Sequence, residues 1–170
     1  MANRQSTRQQ VVAALSRIVC LPLTAAGRAA DMRMFDFGHL RSAGNGFVID
    51  YALHVQCAWR IESNEGIVTG RSDLWKPVDD HAPFDEDWDY DTSPNLQDNV
   101  VALWLTDNAS SLVVQNVDAD EFGGAAIGFD QGFSLRLFPA GTRSEDWRLF
   151  QPKTAAAHFV VSGGEIESDE

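Results

Sequence analysis

The sequence has little of what marks the common functional classes. It holds two cysteines, Cys20 and Cys57, in 170 residues. That is too few for a disulfide framework, and both are expected to stay as separate reduced thiols of a cytoplasmic protein. No apolar run approaches the roughly 18 residues that a membrane-spanning helix needs. The apolar stretch Val11–Leu15 is cut short by Ser16 and Arg17, below the roughly 7–15 residues of a secretory leader, so the N-terminal segment is expected to belong to the fold. Basic residues are scarce: 13 Lys and Arg against 25 Asp and Glu leave a net charge of -12. A surface this acidic repels phosphate backbones and anionic lipid, so neither nucleic acid nor membrane is an expected partner.

Catalytic and metal motifs are also lacking. There is no Gly-x-Ser-x-Gly elbow. Cys57 and His54 stand three residues apart on an expected strand, so their side chains point to opposite faces and cannot form a nucleophile–base pair. Cys57 shares its face with Leu53, Val55 and Trp59, and burial there silences a thiol. His39, His54, His81 and His158 show no short ligand spacing. The pairs Gly123-Gly124 and Gly163-Gly164 lack the spacing of a phosphate-binding glycine loop. Asp85, Asp87, Asp89 and Asp91 alternate as in a calcium loop, but counting from Asp85 the sixth residue is Tyr90 where glycine is needed, and the twelfth is Leu96 where glutamate is needed. No catalytic residue, cofactor or metal is assigned.

What is present is enough apolar material, 44% of residues, for one domain over 1–164, with 165–170 as a flexible acidic tail. Ser6 and Gln9 form a capping-box pattern ahead of Val11, Leu15 and Ile18 at helical spacing, and Pro22 stops the helix. Residues 20–31 read as a connector and Met32–Phe37 as a strand. From Phe47 to Ile61 every odd position is apolar or thiol-bearing, which predicts one long half-buried strand with those residues in the core. Asn64-Glu65-Gly66 turns it into a partner strand, Ile67–Trp75. Ser93 as N-cap and Pro94 as first residue open a second helix, with Leu96, Val100, Leu103 and Trp104 on one face. Strands are expected at Ser110–Val117, Ala125–Phe129, Phe133–Phe138, Asp146–Phe150 and His158–Ser162, joined by Gly-rich turns. Hairpin turns dominate and regular strand–helix alternation is absent. The expected class is α+β: a mostly antiparallel, curved sheet with two helices packed on one face.

Charge is unevenly placed. Residues 1–41 carry six arginines and two acids, while the rest of the chain carries seven bases and 23 acids. A basic arm can dock on an acidic body, within one chain or between two copies. Residues 79–91 hold seven acids, no Lys or Arg, and the aromatics Phe84, Trp88 and Tyr90. Aromatic anchors ringed by charge suit recognition of a basic protein or of a second copy. The candidate partner-binding residues are therefore Asp85, Asp87, Trp88, Asp89 and Tyr90. The other reading of this loop is that its aromatics tuck under it and pin it to the sheet. An alternative site for a small molecule or an enzyme reaction is a pocket between sheet and helices lined by Asp50, His54 and Arg60, which share the polar face of the long strand.

The run from Tyr51 to Ile61 (YALHVQCAWRI), with Asp146–Phe150 (DWRLF) and His158–Val161 (HFVV), resembles a family of uncharacterised bacterial proteins over most of the chain. That resemblance implies no activity, cofactor or catalytic residue. The later segment with Asp130, Gly132, Leu135, Leu137 and Trp147-Arg148-Leu149 is similar to small acidic immunity proteins of bacterial toxin systems, in which an acidic α+β domain binds and blocks a toxin. The resemblance implies a non-enzymatic, protein-binding role of the immunity or inhibitor kind.

Overall fold

A computed structural model describes residues 6–81, 83 and 85–167. The chain begins with helix α1 (Thr7–Leu15), whose capping box is complete: the Gln9 N–H donates to Ser6 Oγ at 3.3 Å, and the Ser6 N–H donates to Gln9 Oε1 at 3.1 Å. A single 3-10 turn over Ser16–Ile18 ends it. Cys20 then takes a left-handed φ of 67° and donates its N–H to the Val114 carbonyl.

Residues 23–29 are a strand rather than a connector. Strand β1 (Leu23–Ala29) pairs with β2 (Met32–Phe37) across the Ala30-Asp31 turn. Its small residues give no two-residue apolar rhythm, because it lies at a sheet edge and buries only Leu23 fully. A hairpin of β3 (Arg41–Ala43) and β4 (Gly46–Val48) stands apart as its own two-stranded sheet.

The long strand expected over 47–61 is divided. Phe47 lies on β4 and is 70% exposed, so the core assignment fails there: the hairpin carries it away from the two large sheets, while Tyr51 and Cys57 are half-buried against the core. Two further strands follow, β5 (Tyr51–Val55) and β6 (Ala58–Ser63), and they belong to different sheets. Between them the N–H groups of Gln56 and Cys57 both donate to the Asp146 carbonyl, at 2.8 and 3.0 Å. The chain turns a corner there without losing its parity. Leu53 and Val55 on one side of the corner, and Trp59 and Ile61 on the other, are all buried in one core. That shared core preserves the two-residue rhythm across the break.

Strand β7 (Gly66–Gly70) pairs with β6, and a 3-10 turn over Arg71–Trp75 replaces the second half of the strand expected at 67–75. Helix α2 (Leu96–Asn108) is capped by Asn95, not Ser93. The Asn95 side chain accepts from the Asp98 N–H at 2.8 Å, so Pro94 lies outside the helix. Leu103 is 56% exposed, and Val101 takes the core-facing place beside Trp104.

The remaining strands are β8 (Val114–Ala119), β9 (Ala125–Phe129), β10 (Ser134–Phe138), β11 (Glu145–Phe150), β12 (Phe159–Ser162) and β13 (Glu165–Ile166). All pairs are antiparallel. Six strands run in the order β1-β2-β5-β11-β12-β13 and five in the order β7-β6-β10-β9-β8. The class is α+β with mostly antiparallel, unclosed sheets. Both helices feed the same hydrophobic cluster: Val11 and Leu15 from α1, and Val101 and Trp104 from α2. The start of the expected acidic tail is ordered. Gly163 and Gly164, both at positive φ, turn the chain so that Glu165–Ile166 pair with β12, and the Glu167 N–H donates to the Val160 carbonyl. Residues 168–170 of that tail lie outside the described residues. No helix among the described residues is long and apolar enough to cross a membrane.

The cysteines are unbridged, Cys20 exposed and Cys57 half-buried. Desolvation is the main cause that pushes the Cys57 thiol up to about 12. A thiol reagent such as Ellman's, at about pH 8, attacks the thiolate. It is expected to titrate one thiol of the native protein quickly, and the second only on denaturation. Two fast thiols would contradict this placement.

Candidate functional site

The acidic segment leaves the fold after the Arg71–Trp75 turn and re-enters it at α2. Its ends are tied together: the Leu96 N–H donates to the Lys76 carbonyl at 2.8 Å, and Pro77 and Asn95 form a β-bridge. Within it, aspartates fold the backbone locally. Asp79 accepts from the His81 N–H, Asp85 from Asp87, and Asp89 from both Asp91 and Thr92. This is the Asx-turn chemistry expected of aspartate in loops.

Both described aromatics of the loop are half-buried. Trp88 Nε1 donates to the Pro94 carbonyl at 3.3 Å, and the Tyr90 ring lies 6.2 Å from that of Trp75. Phe84 is outside the described residues. Asp85, Asp87 and Asp89 are exposed. Trp75, at the start of this segment, is 47% exposed, and Val78, three residues on, is 42% exposed.

The last turn of the loop is held by a charge cluster built from β1, β2 and α2. Arg28 of β1 donates to Asp91 Oδ1 at 2.6 Å, to Asp98 Oδ2 at 3.0 Å and to the Ala30 carbonyl at 2.7 Å. Arg33 of β2 is 3% exposed, and its Nη1 donates to Asp98 Oδ1 at 2.6 Å and to Gln97 Oε1 at 3.3 Å. Asn95 Nδ2 donates to Asp98 Oδ2 and to the Tyr90 carbonyl. Gln97 is buried and passes its own amide on to the Gly70 and Arg71 carbonyls.

Burial disfavours the Asp98 carboxylate, but donors from Asn95, Arg33 and Arg28 outweigh it and hold its pKa below the ordinary aspartate range. Desolvation lowers the pKa of Arg33, and its hydrogen bond to Asp98 offsets only part of this. Arg33 Nε is buried and meets no acceptor among the described residues. A recess of about 430 Å³ adjoins the cluster, lined by Ala26, Gly27, Arg28, Arg33, Asp91, Asp98 and Ala102.

Four of the six N-terminal arginines dock within the chain. Besides Arg28 and Arg33, Arg8 pairs with Asp118 at 2.8 Å and Arg41 with Asp50 at 2.7 Å.

Of the three residues of the alternative pocket, His54 lies on β5 and Arg60 on β6, in different sheets, and Asp50 stands just before β5. Asp50 is occupied by Arg41 and by the His39 N–H. His54 packs edge-on against Phe150, which stacks on His158. Burial, then the nearby Arg148 charge, lowers the His54 pKa. Arg60 pairs with Glu62 at 2.5 Å and lies over the Phe138 ring. Among the described residues, no three His, Cys, Asp or Glu side chains converge on one point as metal ligands.

Sequence reasoning singled out none of Arg33, Asn95, Gln97 and Asp98 as site residues. A signal for Arg33 was present. It shares strand parity with Phe35 and Phe37, and a charge on the buried face of a strand requires a buried partner. Searches with the whole chain find no matching family model, curated protein or solved structure.

Proposed function

We propose that this chain is a non-enzymatic protein-binding module whose docking surface is the acidic loop 79–91, and that its partner is a basic protein engaged in the manner of an immunity or inhibitor protein. One observation carries the reading. The loop is fastened at both ends and internally, yet of its seven acids only Asp91 has an ion-pair partner among the described residues. Unneutralised carboxylates on a pre-shaped loop raise the encounter rate with a cationic surface and cost little ordering entropy on binding. Asp85, Asp87 and Asp89 supply the field. Trp88 and Tyr90 hold the loop's shape and offer their exposed edges, with Trp75 as a neighbouring anchor.

The test is affinity capture from the host with the full chain, followed by kinetics on the isolated complex. Association is expected to slow as salt rises, because exposed charges are screened beyond roughly 8–10 Å at physiological ionic strength. The triple variant Asp85→Asn, Asp87→Asn, Asp89→Asn is expected to slow association at least about tenfold at low salt with little change in dissociation. Trp88→Ala is expected to speed dissociation. A complex indifferent to salt and to all four substitutions would overturn the proposal.

A further inference from the structure

We propose that His158 and His54 form an acid-operated latch on the outer face of the six-stranded sheet: the fold holds both imidazoles neutral, and their protonation frees the loop 151–158 from β11. This inference does not rest on the docking of a basic protein.

Strand parity defines the face. Leu53, Val55, Trp147 and Leu149 point into the core, so His54, Arg148 and Phe150 point away from it. The helices pack elsewhere, α1 mainly on β8, and α2 mainly on the Arg71–Trp75 turn, β7 and β1. Arg148 of β11 stands opposite His54 of β5 and Val160 of β12, and Met34 of β2 stands on the far side of His54. Phe150 lies between the two imidazoles. Its ring meets His54 edge-on at 4.8 Å and stacks on His158 at 4.4 Å.

Arg148 sets the protonation state. Its Nε donates to Glu145 Oε1 at 2.7 Å and its Nη2 to Glu145 Oε2, which fixes the guanidinium. Its Nη1 then faces His158 Nδ1 at 3.4 Å. A guanidinium nitrogen only donates, so Nδ1 is the acceptor and the ring proton belongs on Nε2. An imidazolium has no acceptor left. Protonation would set N–H against N–H and bring two cations together. The Phe150 face attracts a stacked cation, but the guanidinium is a full charge at closer range and repels it more strongly. His54 would gain its proton opposite the same guanidinium; burial first, then that charge, lowers its pKa.

The carboxylates of this face do not offset the new charge. Glu145 favours a charged His54, but both its oxygens are taken by Arg148. Glu167 acts on Arg148 and accepts from Ser162 Oγ. Asp36 of β2 stands one row over, opposite Ala52, and burial raises its pKa. The loop has local hydrogen bonds of its own: Thr154 Oγ1 donates to the Gln151 carbonyl and the Ala156 N–H to Thr154 Oγ1. Residues 153–158 are exposed, and strand pairing resumes only at Phe159, opposite Leu149. A histidine whose folded pKa lies below the unfolded value, about 6.5, contributes stability above that pH and loses it as pH falls through the folded value. The latch therefore holds at neutral pH and opens below about pH 6.5.

The experiment is NMR on the full chain at about pH 7.5 and 5.5. At the higher pH, His158 is expected to carry its proton on Nε2, and its ring to show a nuclear Overhauser contact with the Phe150 ring. At the lower pH that contact is expected to vanish, and backbone order parameters at 154–158 to fall from roughly 0.85 toward 0.6, with β9 and β10 unchanged. His158→Gln keeps an acceptor for Arg148 and does not titrate. Combined with His54→Gln it should hold the loop equally ordered at both pH values, while His39→Gln should respond as the parent does. A proton on His158 Nδ1 at pH 7.5, a ring contact that survives at pH 5.5, loosening that extends to β9 and β10, or an acid response that persists in the double variant would each overturn the latch.

Discussion

Replacing Trp147 with alanine is expected to destabilise the protein by about 3–5 kcal/mol, the range for emptying a fully buried tryptophan site. Trp147 is 0% exposed at the centre of β11, between β5 and β12. Its ring lies 5.7 Å from that of Phe159, and its Nε1 donates to the Gly123 carbonyl at 2.8 Å. Truncation leaves a cavity and also strips a buried carbonyl of its donor, so the upper part of the range applies. For a chain of this length each kcal/mol moves Tm by about 2–4 °C, so a fall of ~10 °C or more is expected in a thermal melt. Trp147→Phe separates the two effects. It keeps most of the volume and loses the hydrogen bond, and should cost about 1–3 kcal/mol. Trp59→Ala, on the opposing sheet and edge-on to Phe35 at 5.5 Å, falls in the same 3–5 kcal/mol class. An alanine variant at Trp147 that melts within a degree or two of the parent would mean that the two sheets do not enclose one core there.

The sequence pattern reported burial faithfully and connectivity poorly. Parity correctly named Leu53, Val55, Trp59 and Ile61 as core, with Cys57 half-buried at the corner, because a strand that crosses from one sheet to its facing sheet still sends alternate side chains into the same interior. It could not reveal the corner at Gln56 and Cys57. That corner is stabilised by the carbonyl of Asp146, some ninety positions away, where β11 changes register between Glu145 and Trp147. Likewise β1 has no apolar rhythm to read, since an edge strand of alanine and glycine earns its pairing from β2. The α2 cap was misplaced by two residues because Ser93-Pro94 and Asn95 are both good openings. The structure chose Asn95, whose amide also reaches Tyr90 and Asp98. Of the candidate site, the acidic loop was legible from composition. The cluster that holds it was not, because Arg28, Arg33 and Asp98 meet only through tertiary packing.

That cluster yields the second large effect. Asp98→Ala is expected to cost about 3 kcal/mol. It removes the one carboxylate that Arg33 touches and leaves a buried guanidinium with only Gln97, where breaking such a pair typically costs about 3–5 kcal/mol. The lower end applies because the Asp98 side chain is itself 38% exposed, and water can screen what remains. Arg33→Met tests whether the cost is that of an uncompensated charge. In the Asp98→Ala background it should restore stability, because the buried cation is gone, so the double variant should be more stable than Asp98→Ala alone. Strictly additive losses in urea unfolding would mean that Arg33 and Asp98 do not act as a pair. Acid adds an independent check. The Asp98 carboxyl has its folded pKa lowered by Asn95, Arg33 and Arg28 against the desolvation that raises it. Its contribution is therefore fully present above the unfolded aspartate value, near 3.9, and is lost as pH falls through the depressed folded value. Parent and Asp98→Ala stabilities should run parallel from neutral pH down to about pH 5 and converge below about pH 4. A gap between them that stays constant to the foot of the acid transition would show that the carboxylate charge plays no part in holding Arg33.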